Sequence, residues 1–267
     1  MRYLLCVTLL SLLLFSCAGN RKHGNDIEPP ASKEVSFEAP GWLWEIPSGS
    51  YAVGFAFSDT EFSSRADSLA RDYASVSISR NHSAFIVDKQ AIMDIAVSDT
   101  QFSDRMDFNV VVSADLDYMH RAYQTLRKLG SANVMGYMLG LYGFIDGNVD
   151  TTMRVMRPDE VPQWCSDSNT YTQSNTLFSV ASGYAAELPG AWTLAQEKAL
   201  RQIGQYRVMN VVGKIRSTND TLQKNLVLET TTKGYKAYFD RCYIVPVKWG
   251  NATSYRVYLR MKTSLDR

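Results

Sequence analysis

The arginines with the most suggestive spacing are Arg121 and Arg241, which each stand two residues before a tyrosine, Tyr123 and Tyr243. Side chains two positions apart on a β-strand point to the same face, so on strands each guanidinium would lie beside a ring. A guanidinium over an aromatic ring is attracted by the negative face of the ring. Stacking within a sheet explains this spacing, and contact with an anionic ligand is the functional alternative.

A lipid-attachment site is the second candidate for chemistry. Residues 1–16 have a positive start, an apolar stretch from Leu4 to Phe15 and a small residue before Cys17. About a dozen apolar residues are too few to cross a bilayer core of about 30 Å, which favours a cleaved signal peptide over a membrane span. Leu14-Phe15-Ser16-Cys17 resembles the lipobox of bacterial lipoproteins, which implies that Cys17 becomes the first residue and carries acyl chains. The alternative is a secreted protein with an incidental cysteine.

Residues 17–39 are predicted to be a flexible tether behind the lipid. The segment contains charged, asparagine, glycine and proline residues without apolar periodicity. Several acyl chains together hold a protein on a membrane, whereas one gives marginal binding. Ala18 at the second mature position favours the outer membrane by the sorting rule of many diderm bacteria. We therefore expect a periplasmic-side, lipid-anchored location.

Two cysteines, Cys165 and Cys242, remain as thiols in the processed chain. Both would lie in an oxidising compartment, so a disulfide is one prediction and two free thiols are the other. A bond would stabilise the fold by about 2–4 kcal/mol.

The sequence favours a protein without catalysis, metal or cofactor. The three histidines lack ligand spacing, and no nucleophile elbow, phosphate-binding glycine loop or Cys-x-x-Cys is present. The carboxylate pairs Asp115/Asp117 and Asp159/Glu160 are explained by surface charge. The chain has 28 basic and 27 acidic residues without a basic run, which argues against nucleic-acid binding.

Three blocks of sequence occur twice, which predicts two copies of one module. The first block is Pro-x-Trp, at Pro40/Trp42 and Pro162/Trp164. The second is a glycine followed by alanines one helical turn apart: Gly54, Ala66 and Ala70, then Gly183, Ala195 and Ala199. The third is Tyr118, Arg121, Tyr123, Lys128, Gly130 and Ala132, repeated at the same spacing as Tyr238, Arg241, Tyr243, Lys248, Gly250 and Ala252.

Apolar patterning predicts an α+β fold in both copies, with module one over residues 40–150 and module two over 151–267. Each module is expected to run strand-helix-strand-strand-strand, with the long helix packed on a small antiparallel sheet.

In module one the predicted elements are a strand at 51–57, a helix at 62–79, added strand segments at 84–87 and 92–97, a strand at 118–129 and a strand at 137–144. In module two they are a strand at 177–184, a helix at 189–215 and strands at 226–232, 238–247 and 255–261. The strand at 118–129 is inferred from its equivalent in module two, because its own apolar spacing also suits a helix. Turns are predicted at 128–132 and 248–252.

The Pro-x-Trp, glycine and alanine pattern, behind a signal and lipobox, resembles the Lpp twenty-kilodalton bacterial lipoprotein family. The resemblance implies a small α/β, dodecin-like domain and association with a membrane, and it supplies no catalytic residues. This chain differs by its second copy and by extra residues near 166–174.

Together these features predict a lipid-anchored envelope protein with a binding or assembly role. Its expected partners are the membrane, through Cys17, and envelope proteins or peptidoglycan, with Arg121 and Arg241 as candidate contacts. Oligomers are compatible with this role. The alternatives are a surface-exposed antigen or adhesin and, less favoured, a cell-wall hydrolase.

The lipid anchor is directly testable by mass spectrometry of protein purified from membranes. We expect Cys17→Ser to abolish acylation and to leave the chain with its signal segment, because lipobox processing requires the cysteine. Cys6→Ser is the matched control, because Cys6 lies in the segment that is removed. A wild-type chain without an acyl group at position 17 would contradict the prediction.

Overall fold

The computed structural model of the chain describes residues 33–58, 63–83, 85–86, 110–112, 114–166, 169–218, 220–225 and 234–265. The signal peptide, Cys17, the tether as far as residue 32 and the strands predicted at 92–97 and 226–232 lie outside these residues. The described residues belong to one compact unit of the chain, Lys33–Arg267.

The described elements confirm an α+β fold with several small antiparallel sheets. The strands are β1 (Lys33–Glu34), β2 (Phe37–Pro40), β3 (Tyr51–Phe57), β4 (Phe85–Ile86), β5 (Val110–Val111), β6 (Arg127–Val134), β7 (Tyr137–Gly143), β8 (Met153–Met156), β9 (Thr170–Gln173), β10 (Thr176–Ala185), β11 (Tyr238–Trp249) and β12 (Ala252–Ser264). The α-helices are α1 (Gly41–Trp44), α2 (Ser63–Ser83), α3 (Leu116–Thr125) and α4 (Leu188–Ser217). Short 3-10 turns cover Pro158–Glu160 and Gln163–Cys165.

The first sheet has the strand order β3-β7-β6 and is covered by α2. The buried helix face carries Ala66, Ala70 and Ala74, whose small side chains let the helix axis lie close to the sheet. A Cβ at Gly54 of β3 would lie 1.9 Å from the carbonyl oxygen of Ala70, so this contact requires glycine.

The second sheet has the order β1-β11-β12-β10-β9 and is covered by α4. Its helix buries an alanine face in the same way, and a Cβ at Gly183 would lie 2.1 Å from the carbonyl oxygen of Ala191. Gly54 contacts Ala70, and the repeated blocks align Ala70 with Ala199. The contact of Gly183 is instead with Ala191, which lies two helical turns earlier in α4.

Both long helices meet at the buried side chain of Gln196. Its Nε2 donates to the carbonyl oxygen of Ser77 at 2.8 Å and to Oδ1 of Asn81 at 2.7 Å. The hydroxyl of Ser77 donates to Oε1 of Gln196 at 3.1 Å. Because Ser77 and Asn81 lie one turn apart on α2, the amide of α4 is bound by one face of α2.

A second contact between the helices lies one turn away. The Tyr73 hydroxyl lies 2.8 Å from the carbonyl oxygen of Pro189 and 2.6 Å from the hydroxyl of Thr193. Phe55 packs against Trp192 with ring centroids 5.3 Å apart. Residues of both halves consequently belong to one buried apolar cluster.

The prediction of a flexible tether over residues 17–39 is wrong for residues 33–39, because these belong to the folded unit. Strand β1 pairs with β11 and forms one edge of the second sheet, and β2 pairs with β8. Ala39 is fully buried. Residues 153–156, near the start of the predicted module two, form β8, whose backbone groups find partners in β2.

The prediction that the two copies of the third block have the same structure is also wrong. Residues 116–125 form helix α3 rather than a strand, and residues 128–132 lie in β6 rather than in a turn. Asp115 caps α3 by accepting a hydrogen bond from the Tyr118 backbone N–H at 3.1 Å. This local cap and the buried face around Ala122 decide the conformation, whereas the module-two segment is β-branched and pairs in β11.

The two sheets nevertheless share a strand order. In the first sheet, β3 leads into α2, and β7 lies between β3 and β6. In the second sheet, β10 leads into α4, and β12 lies between β10 and β11 in the same way. Duplication of a single module stays a prediction, because the third sequence block does not occupy equivalent places in the two halves.

The close contact at Gly54 gives a test of this packing. Gly54→Ala is expected to lower the free energy of unfolding by about 2–3 kcal/mol, since a helix backbone atom must move. Gly213→Ala is the matched control: no heavy atom lies within 4 Å of its added Cβ. This exposed position in α4 should gain about 0.5–1 kcal/mol. Equal urea midpoints for the two variants would contradict the predicted role of Gly54.

Candidate functional site

Arg241 lies in a cleft of about 160 Å³ that we call the aromatic cleft. Its walls come from the end of α1, from β8 and the segment that follows it, and from β11. The lining residues are Trp44, Glu45, Arg154, Pro162, Trp164, Arg241, Cys242 and Tyr243. Trp44 is contributed by the first half of the chain, and the other rings by the second.

Helix α1 positions Trp44 through backbone contacts on both sides. The Gly41 N–H donates to the carbonyl oxygen of Thr152 at 2.8 Å, and the Ile46 N–H donates to that of Asp240 at 3.1 Å. Trp42 and Leu43 of the same helix are buried. Since α1 is held between the β8 segment and β11, Trp44 is fixed beside the second-half residues.

Tyr243 is one of the aromatic residues that line the cleft. Its ring meets that of Trp44 edge to face, with centroids 5.3 Å apart. Its hydroxyl donates to the carbonyl oxygen of Arg157, and that of Glu160 lies 3.3 Å away. Burial raises the pKa of Tyr243 above its usual range, and the hydroxyl hydrogen bond ties the ring to this turn.

The charged rim of the cleft consists of two exposed ion pairs. Nη2 of Arg241 lies 3.3 Å from Oε1 of Glu45, and Nη2 of Arg154 lies 2.6 Å from Oδ2 of Asp150. The side chains of Arg241 and Glu45 are 40% and 70% exposed. Exposed pairs of this kind contribute about 0–1 kcal/mol, so a ligand carboxylate can compete for the guanidinium groups.

Arg260 supports the cleft from beneath Trp164. Its guanidinium carbon lies 5.7 Å from the centroid of the Trp164 ring and 5.2 Å from that of Phe178. Asp240 holds it through a hydrogen bond of 2.6 Å from Nε and also binds Lys262 at 2.9 Å. This network is nearly buried, unlike the rim pairs.

Sequence reasoning missed Arg260, although a signal was present. Arg256, Tyr258, Arg260 and Lys262 alternate along β12, which places four polar or aromatic side chains on one sheet face. Arg260 pairs with Arg241, and the register of β11 shifts between Phe239 and Arg241, so only the tertiary structure shows that Asp240 at this irregularity binds Arg260.

Arg121 lies elsewhere, on helix α3. Its guanidinium carbon is 5.9 Å from the ring of Tyr118, rather than beside Tyr123, and the Tyr118 ring in turn stacks on His82 at 4.0 Å. The predicted pairing of Arg121 with Tyr123 on a strand is therefore wrong. The structure does not bring Arg121 and Arg241 into equivalent positions, so only Arg241 belongs to the cleft.

Cys165 and Cys242 are both buried free thiols beside the cleft. Burial raises the pKa of Cys165 to about 12. Burial also raises the pKa of Cys242, and the charge of nearby Cys165 raises it further. The disulfide between them stays a prediction.

Among the described residues, no group of histidine, cysteine, aspartate and glutamate side chains could hold a metal ion. In the same part of the chain, no helix is both long and apolar enough to cross a membrane. Comparison with protein-family models, with curated proteins and with solved structures found no match. The family resemblance drawn from the sequence thus stays a prediction.

The buried thiols predict slow alkylation of the reduced, folded protein. At pH 8 a pKa near 12 leaves Cys165 with on the order of a thousandfold fewer thiolates than an ordinary cysteine. We expect iodoacetamide to label both cysteines rapidly in urea and hardly at all in native buffer with a phosphine reductant. Rapid native labelling, measured by mass spectrometry, would show that the thiols are accessible.

Proposed function

We propose that this protein is a lipid-anchored component of the bacterial cell envelope that binds peptidoglycan through the aromatic cleft. The observation that carries the proposal is the combination of Trp44, Trp164 and Tyr243 with the guanidinium groups of Arg154 and Arg241 in one cleft. Peptidoglycan offers the two complementary groups, since its sugar rings have apolar faces and its stem peptides carry carboxylates.

The size of the cleft favours one terminal group of a polymer rather than a free metabolite. Its volume of about 160 Å³ is below the range of roughly 300–1,000 Å³ that is usual for sites enclosing a small molecule. A peptide carboxylate would bind the arginines in bidentate geometry, displacing Glu45 or Asp150. A neighbouring sugar or aliphatic group would lie against the indoles.

The predicted anchor suits this role. Acyl chains on Cys17 would hold the protein at the outer membrane, on its periplasmic side. The folded unit begins with β1 at Lys33, so only residues 17 to 32 separate it from the predicted lipid site. The folded unit would therefore work close to the membrane that carries it.

We also propose that the two halves descend from one module of the type seen in the Lpp twenty-kilodalton family. The shared strand order of the two sheets and the glycine-to-helix contacts at Gly54 and Gly183 support this origin. Under this proposal the third block diverged, and its segment became a helix in the first half.

Sedimentation with purified sacculi tests the binding role, with the full-length lipoprotein kept soluble by a mild detergent. Arg241→Ala should weaken binding about tenfold, because a charge-assisted hydrogen bond contributes about 1.5–3 kcal/mol. Arg121→Ala is the matched control, since it removes an arginine near a tyrosine outside the cleft, and it should leave binding unchanged. Glu45→Gln should strengthen binding, because it removes the carboxylate that competes for Arg241.

Two results would contradict this proposal. One is a wild-type protein that stays in the supernatant with sacculi at every concentration. The other is equal binding by Arg241→Ala and Arg121→Ala, which would place any contact with peptidoglycan outside the cleft.

A further inference from the structure

A second and larger cavity lies between the two halves of the fold, apart from the aromatic cleft. It has a volume of about 360 Å³, within the usual range for small-molecule sites. Its walls come from α2, β3, the first residue of β7 and the first turns of α4. We call it the interhelical cavity.

Four aromatic rings line the interhelical cavity: Phe55, Phe57, Tyr73 and Tyr137. The rings of Phe55 and Tyr73 pack edge to face with centroids 5.0 Å apart, and those of Phe57 and Tyr137 lie 5.1 Å apart. Aromatic faces carry partial negative charge and attract cations, most strongly organic cations that shed their water readily.

Most polar groups in the cavity wall are already engaged within the protein. The Tyr73 and Thr193 hydroxyls bind each other, and the Ser77 hydroxyl donates to Gln196. Arg80 lies 3.6 Å from the carboxylate of Glu197. That carboxylate neutralises Arg80 and would repel an anionic ligand that approached it.

Asp72 is the exception. Asp72 is one of the lining residues, and its carboxylate forms no ion pair or hydrogen bond with any other residue that the structure describes. Its side chain reaches solvent, so the charge is stable without a partner. Among the lining residues, Asp72 therefore carries the one charge without an ionic partner, because Arg80 is paired with Glu197 behind the wall.

We propose that the interhelical cavity binds a small organic cation, a quaternary ammonium or protonated amine with an apolar body. The apolar body contacts the four rings, and the positive charge faces Asp72. The two halves hold this site together, because Tyr73 of α2 is bound to Pro189 and Thr193 of α4. The site is independent of peptidoglycan binding.

Three water-soluble probes with one benzyl body test the charge preference: benzyltrimethylammonium, benzyl alcohol and phenylacetate. The full-length lipoprotein is held in nanodiscs of zwitterionic lipid, and calorimetric titrations are corrected with empty discs. We expect the cation to bind at least about tenfold more tightly than phenylacetate, with the alcohol between them.

Asp72→Asn should reduce the preference for the cation over phenylacetate from at least about tenfold to about threefold or less, because it removes the charge and keeps the size of the side chain. Asp117→Asn is the matched control, since Asp117 is an exposed aspartate on α3 outside the cavity. Val76→Trp fills the cavity and should abolish binding of all three probes. Arg241→Ala should change none of these values, which separates this site from the aromatic cleft.

The proposal is overturned if none of the probes binds, or if phenylacetate binds as tightly as the cation. It is also overturned if Asp72→Asn and Asp117→Asn have equal preferences for the cation. Binding that survives Val76→Trp would show that the probes occupy another surface.

Discussion

The buried amide of Gln196 is the contact on which the arrangement of the two halves depends. It makes three hydrogen bonds with one face of α2, to partners 115 to 119 residues away in sequence. A buried polar group left without its partners costs about 1–3 kcal/mol, so a shift of one helix along the other is strongly disfavoured. The Tyr73–Thr193 contact lies in the same register, and the two contacts together fix how the covered sheets meet.

Both candidate sites follow from this docking, because neither is complete in one half. The aromatic cleft takes Trp44 from the first half and Trp164, Arg241 and Tyr243 from the second. The interhelical cavity takes its rings from the first half and closes against Pro189 and Thr193 of α4. Pairing of β2 with β8 and of β1 with β11 adds crossing strands that tie the halves together. A single small module would be marginal in stability, whereas the joined halves share one core.

For helix α3, the apolar spacing of the segment itself indicated the correct structure, whereas comparison with the matching segment of module two indicated the wrong one. The apolar spacing of residues 116–126 suited a helix, and the structure adds a cap at Asp115 that the sequence analysis explained as surface charge. The comparison with residues 238–248 outweighed that local signal and predicted a strand. The two segments share residue types but not neighbours: Ala122 is buried next to α2, whereas Cys242 pairs with Leu259 of β12. Identical spacing thus did not produce identical structure, because the conformation depended on the cap and on the packing partner.

The amino-acid sequence by itself determined the α+β class, strand β3, the two long helices and the β11–β12 hairpin. These follow from periodicity, caps and turns, which are interactions among residues close in the chain. The tertiary structure decided the partners that lie far apart: Gln196 with Ser77, Arg241 with Glu45, and β1 with the edge of β11. Such pairs are set by how whole elements pack against one another, and no local pattern of residue types encodes that packing.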